Sequence, residues 1–352
     1  MLPVDLRSDT VTRPTPAMRE AMMRAELGDD VLEGDPEALR LQALAARLTG
    51  KEAALWFPTG TMANQAGIAA WTRPGEAILA EEDAHILFYE VGGPALNAGV
   101  MTWTLASQGG AMDPDLVARR ITRENLHTPG TSLICLENTH NRAGGAVLPL
   151  ATMRETRRVA DAAGVPVHLD GARVMNAVAG GGGTLMEIAT EVDSLTICLS
   201  KGLGAPAGTV LCGPADLIDR ALRIRKRLGG GMRQIGFLCA AGAFALEHQA
   251  ARLAEDHARA RRMAEALTGT EGVTVIYPGT NMVLLTTEGP AARWQEELET
   301  EGVRCLAAAS DRLRLVTHHD VDDAGIDRAV AAIQTVAGTL RGSPRAAALS
   351  SA

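Results

Sequence analysis

Through the first two thirds of the chain, short apolar runs alternate with stretches of helical periodicity. Between Ala53 and Gly213 the runs are AALWF, AILAE, VMTWTL, SLICLE, PVHLD, SLTICLS and TVLCG. Several are apolar throughout rather than alternating, the pattern of strands covered by helices on both faces. They predict a seven-stranded, largely parallel α/β sheet. From Leu246 to Leu267, apolar residues at Leu246, Ala250, Leu253, Ala260, Ala264 and Leu267 predict one long helix linking two domains. Beyond it, VTVIYPG, NMVLLTT, WQEELETEG, LRLVTH and DDAGIDRAVAAIQTVAGTL predict a compact α+β domain. The expected organisation is an N-terminal arm over 1–14, a large α/β domain over 15–248, a small α+β domain over 249–340 and a frayed tail over 341–352.

Composition narrows the class. With 46% hydrophobic and 22% charged residues in 352, the chain has enough apolar content for a sizeable core, which excludes intrinsic disorder. A formal charge of −8 argues against nucleic-acid or anionic-membrane partners and leaves a small molecule as the default, although Arg223, Arg225, Lys226 and Arg227 form a local basic cluster. The five cysteines are odd in number, lack CxxC pairing and sit mostly in strand-like runs, as reduced core thiols do. MLPVDLRSDT lacks the apolar core of a signal peptide, and no segment approaches a membrane span, so a cytoplasmic protein is expected.

Candidate chemistry gathers where predicted strands end. Lys201, in ICLSKGLGAP, follows an apolar strand and precedes a glycine-rich turn. Small neighbours, Ser200, Gly202 and Gly204, would let a flat cofactor approach an amine used as a Schiff-base nucleophile; a plain surface lysine fits the segment equally well. Asp170 in VHLDGAR would be costly to bury unless it met a cation such as a protonated pyridine nitrogen, or else it caps a helix. Arg173 in the same turn offers a carboxylate fork or a surface ion pair. In FPTGTMANQ, Thr59, Gly60 and Thr61 form an anion cradle or a helix cap. His85 is a base, a stacking ring or a packed histidine. HHDVDD reads as a strand end followed by an acidic helix start rather than a metal site, and no metal is expected. No GxGxxG opens a strand-to-helix turn, which disfavours a nicotinamide site.

The strings DLRSDTVTRPTPAM, GDD, PTGTMAN, AH, LENTHN, HLDGAR, ICLSKGLGAPAG, GGGMRQ and RLVTH occur in an order that resembles the low-specificity L-threonine aldolases, from Asp5 to about Leu340. That resemblance implies a fold-type-I, aminotransferase-like enzyme dependent on pyridoxal 5′-phosphate (PLP), cleaving β-hydroxy-α-amino acids to glycine and an aldehyde. It implies Lys201 as the Schiff-base lysine, Asp170 at the pyridine nitrogen and His85 on the ring. Thr59, Gly60, Thr61 and Ser200 would lie at the phosphate, and Ser8, Arg173 and Arg314 at the substrate carboxylate. His85 or His127 would be the base, with His85 favoured. Arg233 and Lys226 would approach a neighbouring subunit's site in a homo-oligomer, a tetramer or dimer. Where relatives commonly read DDVYGDDP or DDVYGEDP, this chain reads DDVLEGDP, so Leu32 replaces a phenol and the β-substituent preference is expected to differ. A β-lyase or transaminase on the same fold is the alternative, because Lys201 and Asp170 specify the cofactor but not the bond broken.

Overall fold

The computed structural model describes residues 3–342. Apart from a short hairpin of Ser107–Gln108 with Ala111–Met112, its strands are β1 (Val4–Asp5), β2 (Ala53–Phe57), β3 (Ala77–Glu81), β4 (Met101–Leu105), β5 (Thr131–Glu137), β6 (Val167–Asp170), β7 (Ser194–Cys198), β8 (Thr209–Gly213), β9 (Val273–Ile276), β10 (Met282–Thr287), β11 (Val303–Arg304), β12 (Leu306–Ala309) and β13 (Arg312–Val316). The longer helices are α1 (Pro16–Met23), α2 (Pro36–Thr49), α3 (Gly60–Trp71), α4 (Leu150–Ala163), α5 (Ala215–Arg227), α6 (Gly236–Phe244), α7 (Leu253–Leu267), α8 (Ala291–Thr300) and α9 (Asp323–Gly342). From residue 343 on, the expected tail lies outside the described residues.

All seven apolar runs become strands of one sheet, ordered β2-β8-β7-β6-β5-β3-β4. Only β8 runs antiparallel to its neighbours. Strands β3, β7 and β8 are buried along their full lengths, because helices cover both faces and no position alternates outward. A second sheet, antiparallel and ordered β9-β10-β13-β12, carries its own core around Trp294, Leu285 and Leu313. The N-terminal arm joins it: β1 pairs in parallel with β11, Leu6 donates its N–H to Arg304 O, and Val316 N–H donates to Leu6 O.

The single long helix expected over Leu246–Leu267 is not continuous. Helix α6 runs into a π-helical turn over Ala245–Gln249, and α7 begins at Leu253. Leu246 and Leu253 pack into the large core, whereas Ala260, Met263, Ala264 and Leu267 pack into the small one. One periodic stripe therefore serves two cores, and the change from one to the other falls within α7, between Leu253 and Ala260, rather than at the π turn.

Local chemistry explains where helices begin near the site. Thr59 caps α3, accepting from Met62 N–H at 3.1 Å. Asp35 caps α2 from full burial, and its second oxygen accepts from Gly236 N–H at 2.9 Å, tying α2 to the start of α6.

Candidate active site

The segments at the carboxyl ends of β2, β3, β6 and β7 converge on a cavity of about 330 Å³ bounded by Thr59, Gly60, His85, Asp170, Ser200 and Lys201, among others. Parallel strands deliver side chains to this edge in open α/β sheets. Lys201 lies three residues past β7, on a turn closed by Gly204, whose φ of +80° and N–H bond to Lys201 O favour glycine. Its carbonyl also accepts from Thr12 Oγ1 at 2.8 Å. No hydrogen bond among the described residues engages its amine, which borders a second, smaller cavity lined by Arg173 and Asn176.

Asp170, 4% exposed, ends β6. It caps no helix; its Oδ1 accepts from Ala172 N–H at 3.0 Å and its Oδ2 from Asn64 Nδ2 at 2.9 Å. The same amide group donates to Glu90 Oε1, also at 2.9 Å, while Gln65 donates to Glu90 Oε2. His85 Nδ1 lies 3.2 Å from Glu90 Oε1 and 3.9 Å from Asp170 Oδ2. Since both Glu90 oxygens accept from amides, Nδ1 is the protonated nitrogen and Nε2 the one with a lone pair. Burial alone would lower the pKa of His85, but the bond to Glu90 and the charge of Asp170 raise it above the ordinary histidine value. His85, Glu90 and Asp170 are also the one group among the described residues close enough to share an ion. The amides of Asn64 and Gln65 already engage the two carboxylates there.

Arg173 is no surface residue. Its Nε and Nη2 grip Asp9 at 2.8 and 2.7 Å, with Asp9 fully buried. Burial raises the Asp9 pKa, yet the charge and bonds of Arg173, helped by Lys201 and His318, bring it well below the usual carboxylate range. Arg173 Nη1 and Arg314 Nη1 both donate to Asn141 Oδ1, at 3.2 and 3.1 Å. Burial, then the neighbouring Arg173, lowers the Arg314 pKa. The two guanidiniums are thus held side by side, and among the described residues Arg314 Nε is buried without a partner. Ser8, buried, lies beside Asp9 and accepts from Thr10 N–H.

A beta-eliminating lyase family model matches residues 5–289. Low specificity L-threonine aldolase of Escherichia coli (strain K12) is 45% identical over 320 residues, 90% of this chain and 94% of that protein. Low-specificity L-threonine aldolase 1 of Arabidopsis thaliana is 41% identical over 345 residues, 95% and 96% of the two chains. The chain belongs to the beta-eliminating lyase family, among the low-specificity L-threonine aldolases. A solved threonine aldolase of Leishmania major has the same fold, with a TM-score of 0.80 at 18% identity over 95% of this chain and 99% of that one.

Threonine aldolases of this family use PLP, and the residues present fit it. The N–H groups of Gly60 and Thr61 at the start of α3 make no hydrogen bond among the described residues, and beside them Thr209 Oγ1 is buried without a partner. These donors suit a phosphate, at the positive end of a twelve-residue helix. Asp170 and the unengaged Lys201 amine line the same cavity.

Other residues expected at the aldolase site lie outside this chain's own cavity. His127 is exposed on a turn closed by the Asn125–Thr128 bridge. Lys226 is exposed beside Gly231, and Arg233 pairs loosely with Asp29 at 3.4 Å. Leu32 is 78% exposed on the same 29–34 loop. The basic cluster is no single patch: Arg225 is 1% exposed and spans from Asp30 to Trp56 O. Sequence reasoning missed Asp9, Asn64, Glu90, Glu137 and Asn141 as individual residues. Their only trace was membership in the strings SDT, TMAN, HILFYE and LENTHN.

Proposed function

We propose that this cavity cleaves L-threonine, L-allo-threonine and related β-hydroxy-α-amino acids to glycine and an aldehyde, with the roles that follow. The observation that carries the reading is the meeting, in one cavity, of an unengaged Lys201, the buried carboxylate of Asp170 and the unpaired start of α3, with the arginine pair adjoining through Arg173. Lys201 would hold the cofactor covalently, Asp170 would face its ring nitrogen, and Thr59, Gly60, Thr61 and Ser200 would hold its phosphate. Bound there, PLP supplies an electron sink for the bond to be broken. Arg173 and Arg314, with Ser8, hold the substrate carboxylate and so fix which bond at Cα stands ready to break. His85, with Nδ1–H fastened to Glu90, takes the β-hydroxyl proton at Nε2.

His127, Lys226 and Arg233 act in a neighbouring subunit's site, and the assembly is a homotetramer or dimer with shared sites. Their exposure and their absence from the lining of the chain's own cavity support this. The large cofactor-binding domain spans 15–248 and the small domain 249–340; two separate cores support the division into two domains, with Leu253 still packing into the first. Among the described residues no helix is long and apolar enough to cross a membrane, and all five cysteines are buried and free, which supports a cytoplasmic location.

The test is a visible spectrum of the protein with PLP, coupled to assays of product. Lys201→Ala is expected to abolish both the cofactor's covalent absorbance band and acetaldehyde release from L-threonine. Ammonia and a keto acid in place of glycine and acetaldehyde would instead establish the β-lyase.

A further inference from the structure

One buried carboxylate touches both halves of the proposed machinery. Glu137 ends β5, which the sheet order places between β3 and β6. His85 follows β3, and Asp170 ends β6 in direct register with Glu137. From this central position Glu137, 5% exposed, sends its two oxygens in different directions. Oε2 accepts the backbone N–H of His85 and Oε1 that of Asn141, each at 2.7 Å. Asn141 in turn presents Oδ1 to both Arg173 and Arg314.

Left to themselves, two adjacent guanidiniums repel, and a short turn after a strand end has several conformations. A carboxylate with both oxygens engaged by backbone N–H groups has no donor to offer and cannot be replaced isosterically by an amide, whose nitrogen would face one of those N–H groups. We propose that Glu137 is a positioning residue that sets the proton-accepting His85 and the carboxylate-binding arginine pair in register with each other, although it touches neither the substrate nor the cofactor.

This inference rests on the aldolase reading, and the experiment separates the two. Holoenzyme is prepared for the wild type, Glu137→Gln, Asn141→Ala and His85→Asn. Glycine affinity is read from the cofactor's absorbance, and kcat and KM for L-threonine from acetaldehyde. Glycine carries the carboxylate without the β-hydroxyl, so its affinity reports the arginine pair apart from the His85 step. Glu137→Gln is expected to weaken glycine binding and to lower kcat, each by about tenfold, the effect of mispairing a buried charged acceptor. Asn141→Ala moves glycine affinity and KM, and His85→Asn moves kcat. Affinity for PLP itself stays within about twofold in Glu137→Gln, a readout that general structural damage would move.

A Glu137→Gln enzyme with only one of the two properties altered, or with cofactor affinity lost alongside both, overturns the shared role. Should Glu137→Gln fail to fold, Glu137→Asp, which keeps both acceptor oxygens on a shorter reach, is read against the same criteria. If wild-type holoenzyme binds glycine but releases no acetaldehyde, the aldolase reading falls, and the glycine arm still decides whether Glu137 orders the arginine pair.

Discussion

A carboxylate that already receives two amide donors leaves a neighbouring imidazole one choice of tautomer, and Glu90 imposes that choice on His85. The consequence is a pH dependence with a definite sign. Glu90 and Asp170 raise the His85 pKa against the opposing effect of burial, and a base must be unprotonated to act. The acid limb of kcat/KM therefore lies above the ordinary histidine value. Glu90→Gln removes the larger of the two raising influences, so that limb should move to lower pH, as a pH–rate profile would show. A limb that stays in place would deny His85 the role of base. Lys201 and Asp170 stood out in the sequence because each follows or ends an apolar run, where a charged group either meets a partner or serves as a surface residue or helix cap. Asp9 and Glu90 did not. Asp9 meets Arg173 across 164 positions, and no local pattern records such a pairing. Arg225 misled for the converse reason: a basic cluster looks solvent-facing until one of its members proves buried and paired with Asp30.

Among elements, the sheet was legible and its junctions were not. Apolar runs bounded by turn residues specify strands whatever their neighbours do, so all seven were readable. The π turn before α7 was not, because the periodic apolar positions continue across it, with Leu246 and Leu253 packing into the same core on either side. Close approach between strand ends is equally silent in the sequence. A Cβ built on Gly171 would lie 2.1 Å from Thr196 O, so the turn after β6 can hold Asp170 in place only with glycine there. Gly171→Ala is expected to cost about 1–3 kcal/mol of stability by overpacking. It should also weaken PLP binding, because relief of the clash displaces the Asp170 turn. Urea unfolding and a cofactor titration would check the two effects, and unchanged PLP affinity would mean that the turn relaxes away from Asp170.

At the scale of the whole molecule, the proposed sharing of sites predicts a dependence on concentration. Specific activity should fall as the enzyme is diluted through the dissociation of its subunits, in step with the loss of larger species in sedimentation. Full activity in a verified monomer would confine catalysis to the groups on one chain and remove His127, Lys226 and Arg233 from it. Nothing in the composition marks a subunit interface, since the exposed large apolar residues, Leu32 and Leu126 among them, are scattered through unrelated strings.

The N-terminal arm gives the fold a sense of order in time. Val4 pairs with Val303 and Leu6 bonds to Arg304 and Val316, while three residues further on Asp9 locks Arg173. During synthesis the arm therefore waits through about 300 residues for its partners to emerge. A nascent chain halted before Val303 has the strands of the large sheet and Lys201, but neither Arg314 nor the strand that anchors the arm. Assembly of the Arg173–Arg314 pair thus reports that translation has run through the second sheet, since Arg314 lies on β13.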